Sequence, residues 1–354
     1  RKMRVLIIKV SSLGDIIHTL PAVTDAQLAH KSLVFDWVVE ENFVEVPGWH
    51  PAVNQVIPVA IRRWRRNVFK TYINHEFKAF KRALQAVHYD LVIDAQGLIK
   101  SGMISRLSRG LTIGLNNRTI REPLATLFYN KVYSVPKTEH AVDRVRQLFS
   151  RALKYNYDKG VVDYGIDIDR ISGGHPATDR KQVVFLHGTT WATKHWPEHY
   201  WRHLAHIATD SGYRVLLPWG NPRERRRAEF ISEGNEQITV LDKQSLSGLA
   251  QKINASSGVI SVDTGLGHLA AALAKPTLSL YGPTNPELSG TYGAKQLHVN
   301  SDFKCAPCVM KTCGYSGPGV TGNFEGQKYA VIPPCFSSHK PENVWQQFEN
   351  LLQE

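Results

Sequence analysis

The sequence predicts an α/β protein of two domains, each a parallel sheet covered by helices on both faces. Three observations lead there. The chain has 354 residues, more than one ordinary core accommodates and enough for two units of about 150 to 180 residues. Short runs rich in Val and Ile alternate with amphipathic stretches along two separate passages, the pattern of doubly buried strands and their crossover helices. Between the passages, residues 167–180 form a polar stretch with Gly, Pro and Asp that reads as a linker.

The first passage, 1–166, opens with a strand over Met3 to Val10, followed by the loop Ser11-Ser-Leu-Gly-Asp15 and a helical stretch to about His30 that Pro21 interrupts. Strands are expected at Val34 to Glu40 and Asp90 to Ala95. Between them lie the basic run Ile61-Arg-Arg-Trp-Arg-Arg66 and an amphipathic helix around Phe77 to Val87. The second passage, 181–340, carries expected strands at Val183 to His187, Arg214 to Leu217, Ile238 to Leu241, Val259 to Asp263 and Thr277 to Tyr281. Helices fit after Pro197, Pro222 and Ser245 and at Gly265; proline suits a helix start, where its missing N–H has no partner to lose. Two such domains are expected to face a central cleft, because ligands of open α/β sheets sit at the carboxyl ends of the strands.

The net charge of +12 calls for an acidic partner: nucleic acid, an anionic membrane surface or a phosphorylated small molecule. No run of 18 uninterrupted apolar residues exists, which argues against a transmembrane helix. The apolar run Val5 to Ile8 is broken by Lys9 and is too short for a signal-peptide core, so the expectation is a cytoplasmic protein. All four cysteines lie late in the chain, at Cys305, Cys308, Cys313 and Cys335. Their spacing admits a zinc site; free surface thiols or adventitious disulfides fit as well.

Residues able to carry chemistry fall after the strands. Val259 to His268 reads as a strand ending on Asp263 and passing through Thr264 and Gly265 into an apolar helix bearing His268. Such a junction gathers backbone N–H groups and a positive helix end, which suits a phosphorylated ligand; a plain turn capped by Asp263 is the alternative. His187-Gly-Thr-Thr190 and Lys194-His-Trp-Pro197 repeat the geometry. The hydroxyls of Thr189 and Thr190 can bind a diphosphate while Lys194 compensates its charge. Glu224, after another strand, can accept hydrogen bonds from ribose hydroxyls or simply favour its helix N-terminus. Asp15 can deprotonate an attacking hydroxyl, or serve only the helix dipole. Arg62, Arg63, Arg65 and Arg66 crowd around Trp64, an arrangement suited to phosphates or carboxylates, or to a solvated basic face. Lys100 and Arg121 can extend that site. No nucleic-acid-binding motif accompanies the basic run.

Taken in order, Ile8-Lys-Val-Ser-Ser-Leu-Gly-Asp-Ile-Ile-His-Thr-Leu-Pro21, Arg62-Arg-Trp-Arg-Arg66, Asp94-Ala-Gln-Gly-Leu-Ile-Lys-Ser101, Arg121-Glu-Pro-Leu124, His187-Gly-Thr-Thr190, Lys194-His-Trp-Pro197 and Ser261-Val-Asp-Thr-Gly-Leu-Gly-His268 resemble the lipopolysaccharide heptosyltransferases of glycosyltransferase family 9, nearest to the type I enzymes. The resemblance implies the GT-B fold and an inverting, metal-independent transfer of L-glycero-D-manno-heptose from ADP-heptose to Kdo on lipid A, with no cofactor required. It makes Asp15 the general base. It puts Thr189, Thr190, Lys194, Glu224, Asp263, Thr264, Gly265 and His268 at the donor, with Lys194 also easing departure of the diphosphate. On the acceptor side it puts Ser12, Gly14, Arg62, Arg63, Arg65, Arg66, Lys100 and Arg121. A final helix, 341–354, is expected to pack back on the N-terminal domain, as in GT-B proteins generally.

The cysteine-rich tail departs from the enteric type I pattern; Cys305-Ala-Pro-Cys308 resembles a loop of the wider family, as in the OpsX-like branch, whose acceptor carries a single phosphorylated Kdo. A monomer is expected, peripheral on the anionic cytoplasmic face of the inner membrane and without a nucleic-acid partner. The competing readings are a type II or III heptosyltransferase and a GT-B sugar-nucleotide epimerase.

Overall fold

The computed structural model describes residues 2–66, 75–172 and 179–354. The chain forms two units, Arg1–Arg170 and Ile171–Glu354. The division falls inside the stretch read as a linker, of which residues 173–178 lie outside those described.

The first unit is built on a six-stranded parallel sheet in the order β3-β2-β1-β4-β5-β6. Its strands are β1 (Met3–Ile8), β2 (Leu33–Glu40), β3 (Val53–Val59), β4 (His88–Asp94), β5 (Arg109–Leu115) and β6 (Lys131–Tyr133). Val5, Leu6, Ile7 and Ile8 are fully buried, because β1 lies between two neighbours with helices over both faces. Its register pairs Ile8 with Val38 on one side and with Asp94 on the other. The loops after β1 and β4 therefore leave the sheet side by side at the point where strand order reverses, the customary ligand position of a doubly wound sheet.

The second unit repeats the plan in the order β12-β11-β10-β7-β8-β9. Here the strands are β7 (Asp179–Leu186), β8 (Arg214–Leu217), β9 (Ile238–Val240), β10 (Ser256–Val262), β11 (Thr277–Leu280) and β12 (Gln296–Val299). Its reversal lies between β7 and β10, where Leu186 pairs with Ser261. An antiparallel hairpin, β13 (Thr321–Phe324) and β14 (Gln327–Ala330), follows. Trp196 and Trp201 meet edge to face at 5.0 Å in the core beneath β7.

Helix starts follow local capping chemistry. Asn221 accepts from the N–H groups of Arg223 and Glu224 at the head of Pro222–Ser232, and Ser245 accepts from Gly248 at the head of Leu246–Ala255. The stretch expected to be interrupted at Pro21 is two helices, Leu13–Ile17 and Leu20–Ala29, with the proline in the first turn of the second.

The last helix, Pro341–Gln353, packs within the second unit, where Val344, Trp345, Phe348 and Leu351 enter the core with Trp201 and Leu204. Trp345 also donates its indole N–H to Ser211 Oγ at 3.1 Å. The apolar stripe of this helix lies against the helix Glu198–Asp210 and strands β10 and β11.

Candidate active site

In the first unit, Asp15 sits in the opening turn of Leu13–Ile17, and its Oδ2 accepts from both the backbone N–H and the hydroxyl of Ser12 at 2.9 Å. These two bonds hold the carboxylate at the end of β1. A cavity of about 200 Å³ opens beside it, lined by Lys9, Asp15, Gln96, Arg121 and Arg144 among others. Gln96, from the loop after β4, accepts through Oε1 from the N–H groups of Val10 and Ser11 at 2.9 and 3.0 Å, joining the two loops. Asp94 is buried and accepts from Tyr129, Ser101, Gly97 and Gln96; burial raises its carboxyl pKa while those bonds oppose the rise.

Lys9, Gln96 and Arg144 line this cavity without a sequence motif that singles them out. The Lys9 ammonium is buried and donates to the Ala95 carbonyl at 2.8 Å. Burial lowers its pKa, and the nearby Asp15 and Asp94 carboxylates act in the opposite direction. A lysine interrupting an otherwise unbroken Val and Ile strand was the available signal. Gln96 and Arg144 gave none, since their roles arise only where separate segments meet.

The basic run forms the short helix Ile61–Trp64 and the residues after it, all four arginines being exposed. Arg63 is engaged by Glu41 at 3.0 Å and Glu76 at 2.8 Å, and these carboxylates raise its pKa. Arg62 lies 5.6 Å over the Phe43 ring. Lys100 is half-buried in the helix Ile99–Leu107, and Arg121 is exposed.

In the second unit, Thr189, Lys194 and Asp263 meet at the strand reversal. Lys194 Nζ stands 2.7 Å from Asp263 Oδ2 and 4.4 Å from the centre of the Trp191 ring. Thr284 donates to the same Asp263 oxygen at 2.6 Å. Thr189 donates to the Asp263 main-chain carbonyl at 2.9 Å, binding the β7 loop to the end of β10. Thr190 is exposed. Thr264 begins the helix Gly265–Ala272 from an extended conformation without a side-chain cap, and His268 is buried within that helix. Glu224 accepts from the Gly220 N–H at 2.7 Å and overhangs Gly188. His187 and His195 are held neutral by burial and by Arg227, their pKa values lowered to about 3 and about 4.

The four cysteines line one small cavity of about 20 Å³, and none is in a disulfide. Burial, then the neighbouring thiols, push the Cys335 thiol up to about 12. Among the described residues no three His, Cys, Asp or Glu side chains stand as a metal-holding group.

The chain thus holds two doubly wound parallel sheets, with a helix start and a cation gathered at the strand reversal of the second. The model of glycosyltransferase family 9 (heptosyltransferase) matches residues 77–317. Lipopolysaccharide heptosyltransferase 1 of Pseudomonas aeruginosa is 51% identical over 351 residues, covering 99% of this chain and 98% of that protein. The Escherichia coli K12 protein of the same name is 51% identical over 296 residues, 83% of this chain and 92% of that one. The structure of E. coli heptosyltransferase WaaC with ADP superposes with a TM-score of 0.81 at 50% identity, covering 84% of this chain and 93% of that one. The chain belongs to glycosyltransferase family 9, the heptosyltransferases.

Proposed function

We propose that the protein transfers L-glycero-D-manno-heptose from ADP-heptose to a Kdo sugar of lipid A, inverting the anomeric centre and using no metal ion. Asp15 takes the proton of the attacking Kdo hydroxyl as that oxygen bonds to the anomeric carbon. The bond from this carbon to the diphosphate oxygen breaks on the opposite face, and ADP leaves with the bonding electrons. Negative charge grows on the diphosphate during this step, so Lys194 and the helix start at Thr264 and Gly265 stabilise the transition state more than the bound donor.

Thr189, Thr190, Asp263 and His268 complete the diphosphate and heptose side, and Glu224 receives the ribose hydroxyls. Ser12 and Gly14 shape the acceptor position beside Asp15. Arg62, Arg63, Arg65, Arg66, Lys100 and Arg121 meet the Kdo carboxylate and the lipid A phosphates. The enzyme works as a peripheral monomer on the anionic cytoplasmic face of the inner membrane, a placement supported by its charge of +12.

The observation carrying this reading is the Lys194 ammonium fixed 2.7 Å from Asp263, at the joined ends of β7 and β10. A cation so placed is pre-oriented for a leaving diphosphate. The test is incubation with ADP-heptose and purified lipid A acceptors bearing either one phosphorylated Kdo or two Kdo sugars, followed by mass spectrometry. Gain of one heptose with stoichiometric ADP supports the reading; ADP release without a heptosylated lipid, or no release at all, rejects it.

A further inference from the structure

Ile99, Met103 and Arg106 fall at i, i+4 and i+7 of the helix Ile99–Leu107 and so share one face. Ile99 is 37% exposed and Met103 53%. The 3-10 segment Pro123–Phe128 packs closely on this helix: a Cβ added to Gly102 would stand 2.7 Å from the Phe128 ring and 3.3 Å from the Ala125 carbonyl. In such a segment residues three apart eclipse. Ala125 and Phe128 therefore serve the contact, while Leu124 and Leu127 share another face, 63% and 80% exposed. The chain then runs directly into edge strand β6, whose Val132 is 42% exposed.

Among the described residues of the first unit, eight large apolar side chains are exposed, and these three elements carry five of them. Scattered exposure needs no explanation, but a gathered patch does. The stretch 99–132 also contains Lys100, Arg106, Arg109, Arg118, Arg121 and Lys131 against one acid, Glu122, which accepts from the Ile99 N–H at 2.7 Å. Apolar side chains amid surplus positive charge fit an interface that is greasy inside and anionic at its surface. A protein partner has no general need of that combination; an anionic bilayer has both properties.

We propose that Ile99, Met103, Leu124, Leu127 and Val132 form a membrane-docking face that inserts into the headgroup layer of an anionic bilayer, with the basic residues of the same stretch meeting lipid phosphates. This rests on the lipid-linked acceptor proposed above and adds to it an apolar contribution and a location. Arg121, two residues before Pro123–Phe128, lines the cavity that holds Asp15. Docking through this face keeps the acceptor's acyl chains in the bilayer while its sugar reaches the base.

The test uses the full chain and the double variant Met103→Ser, Leu127→Ser, sedimented with phosphatidylethanolamine vesicles with and without phosphatidylglycerol. Turnover is measured in parallel on a deacylated, water-soluble Kdo acceptor. The wild type is expected to sediment with the phosphatidylglycerol vesicles, and the variant to bind them at least about tenfold more weakly with unchanged turnover on the soluble acceptor. Leu127→Trp is expected to give indole fluorescence that shifts to the blue on vesicle addition. Variant binding equal to wild type, or a Leu127→Trp emission unmoved by vesicles that bind the protein, overturns the face. Wild type that ignores both vesicle types overturns it in favour of a protein partner. Absence of turnover on the soluble acceptor in the wild type counts against the transfer reaction instead, and the vesicle results still decide the face.

Discussion

Glu224 lies directly over Gly188: a Cβ added to that glycine would stand 2.7 Å from the Glu224 carboxylate carbon and 2.8 Å from Oε1. The loop after β7 thus carries a residue with no side chain at Gly188, and a carboxylate from the helix Pro222–Ser232 occupies the space. Gly188→Ala is expected to displace Glu224 and weaken ADP-heptose binding by about tenfold, in line with loss of a charge-assisted hydrogen bond. Calorimetric titration checks this, and undiminished affinity would remove Glu224 from the ribose site.

Asp15→Asn retains the shape of the cap to Ser12 but cannot take a proton. Turnover is expected to fall by at least about a hundredfold, while the dissociation constant for ADP-heptose stays within a factor of about two. Rapid-quench turnover and equilibrium binding on the same preparation separate these effects. Retained turnover would exclude Asp15 as the base.

Lys194→Met keeps the length of the side chain and removes its charge. The expected result is a fall in kcat of about 10² to 10³, because charge on the departing diphosphate loses its partner. Asp263→Asn should lower kcat less, since the ammonium remains but is no longer held at 2.7 Å. Steady-state kinetics with saturating donor distinguish the pair, and equal damage from both would mean that Asp263 does more than orient Lys194.

Three neutral histidines, His187 and His50 buried and His195 half-buried, give the protein a defined sensitivity to acid. His187, His50 and His195 have pKa values lowered to about 3, about 4 and about 4 by burial. In the unfolded chain they titrate near 6.5, so between about 6.5 and 4 the unfolded state binds more protons. Stability conferred by these groups is complete above about 6.5 and is lost as pH falls towards the folded-state values. The melting temperature should drop over that window, and His187→Gln should flatten the drop. Identical pH profiles for wild type and variant would refute the assignment to His187.

Phe348→Ala is expected to destabilise the second unit by about 3 to 5 kcal/mol, the usual cost of emptying a buried aromatic site. Phe348 is fully buried, and its ring stands 2.8 Å from where a Cβ on Gly258 would lie. Urea unfolding followed by tryptophan fluorescence measures the loss. A change within error would place the last helix outside the cooperative core.

Strands β1 and β10 were legible because each holds a buried run rich in Val and Ile, Val5-Leu-Ile-Ile8 and Val259-Ile-Ser-Val262. Others were not: β3 reads Val-Asn-Gln-Val-Ile-Pro-Val, with Asn54, Gln55 and Pro58 exposed, β5 contains two glycines, and β6 has only three residues. The apolar stripe of the last helix was visible, but not which surface it would meet, since amphipathicity names a face and not its partner. Asp15 and Lys194 could be picked out by position after a strand, whereas Lys9 and Gln96 act through contacts between loops separated by more than eighty residues.

Both strand reversals are braced in the same manner. Gln96 of the β4 loop receives two main-chain N–H groups of the β1 loop, and Thr189 of the β7 loop gives its hydroxyl to the carbonyl of Asp263 at the end of β10. Each pair of loops is thereby cross-linked without a covalent bond, so their backbones are tied to one another by the fold itself. The lever by which such an enzyme can change its substrate is then the set of side chains carried around each brace, because exchanging those leaves the scaffold's geometry intact.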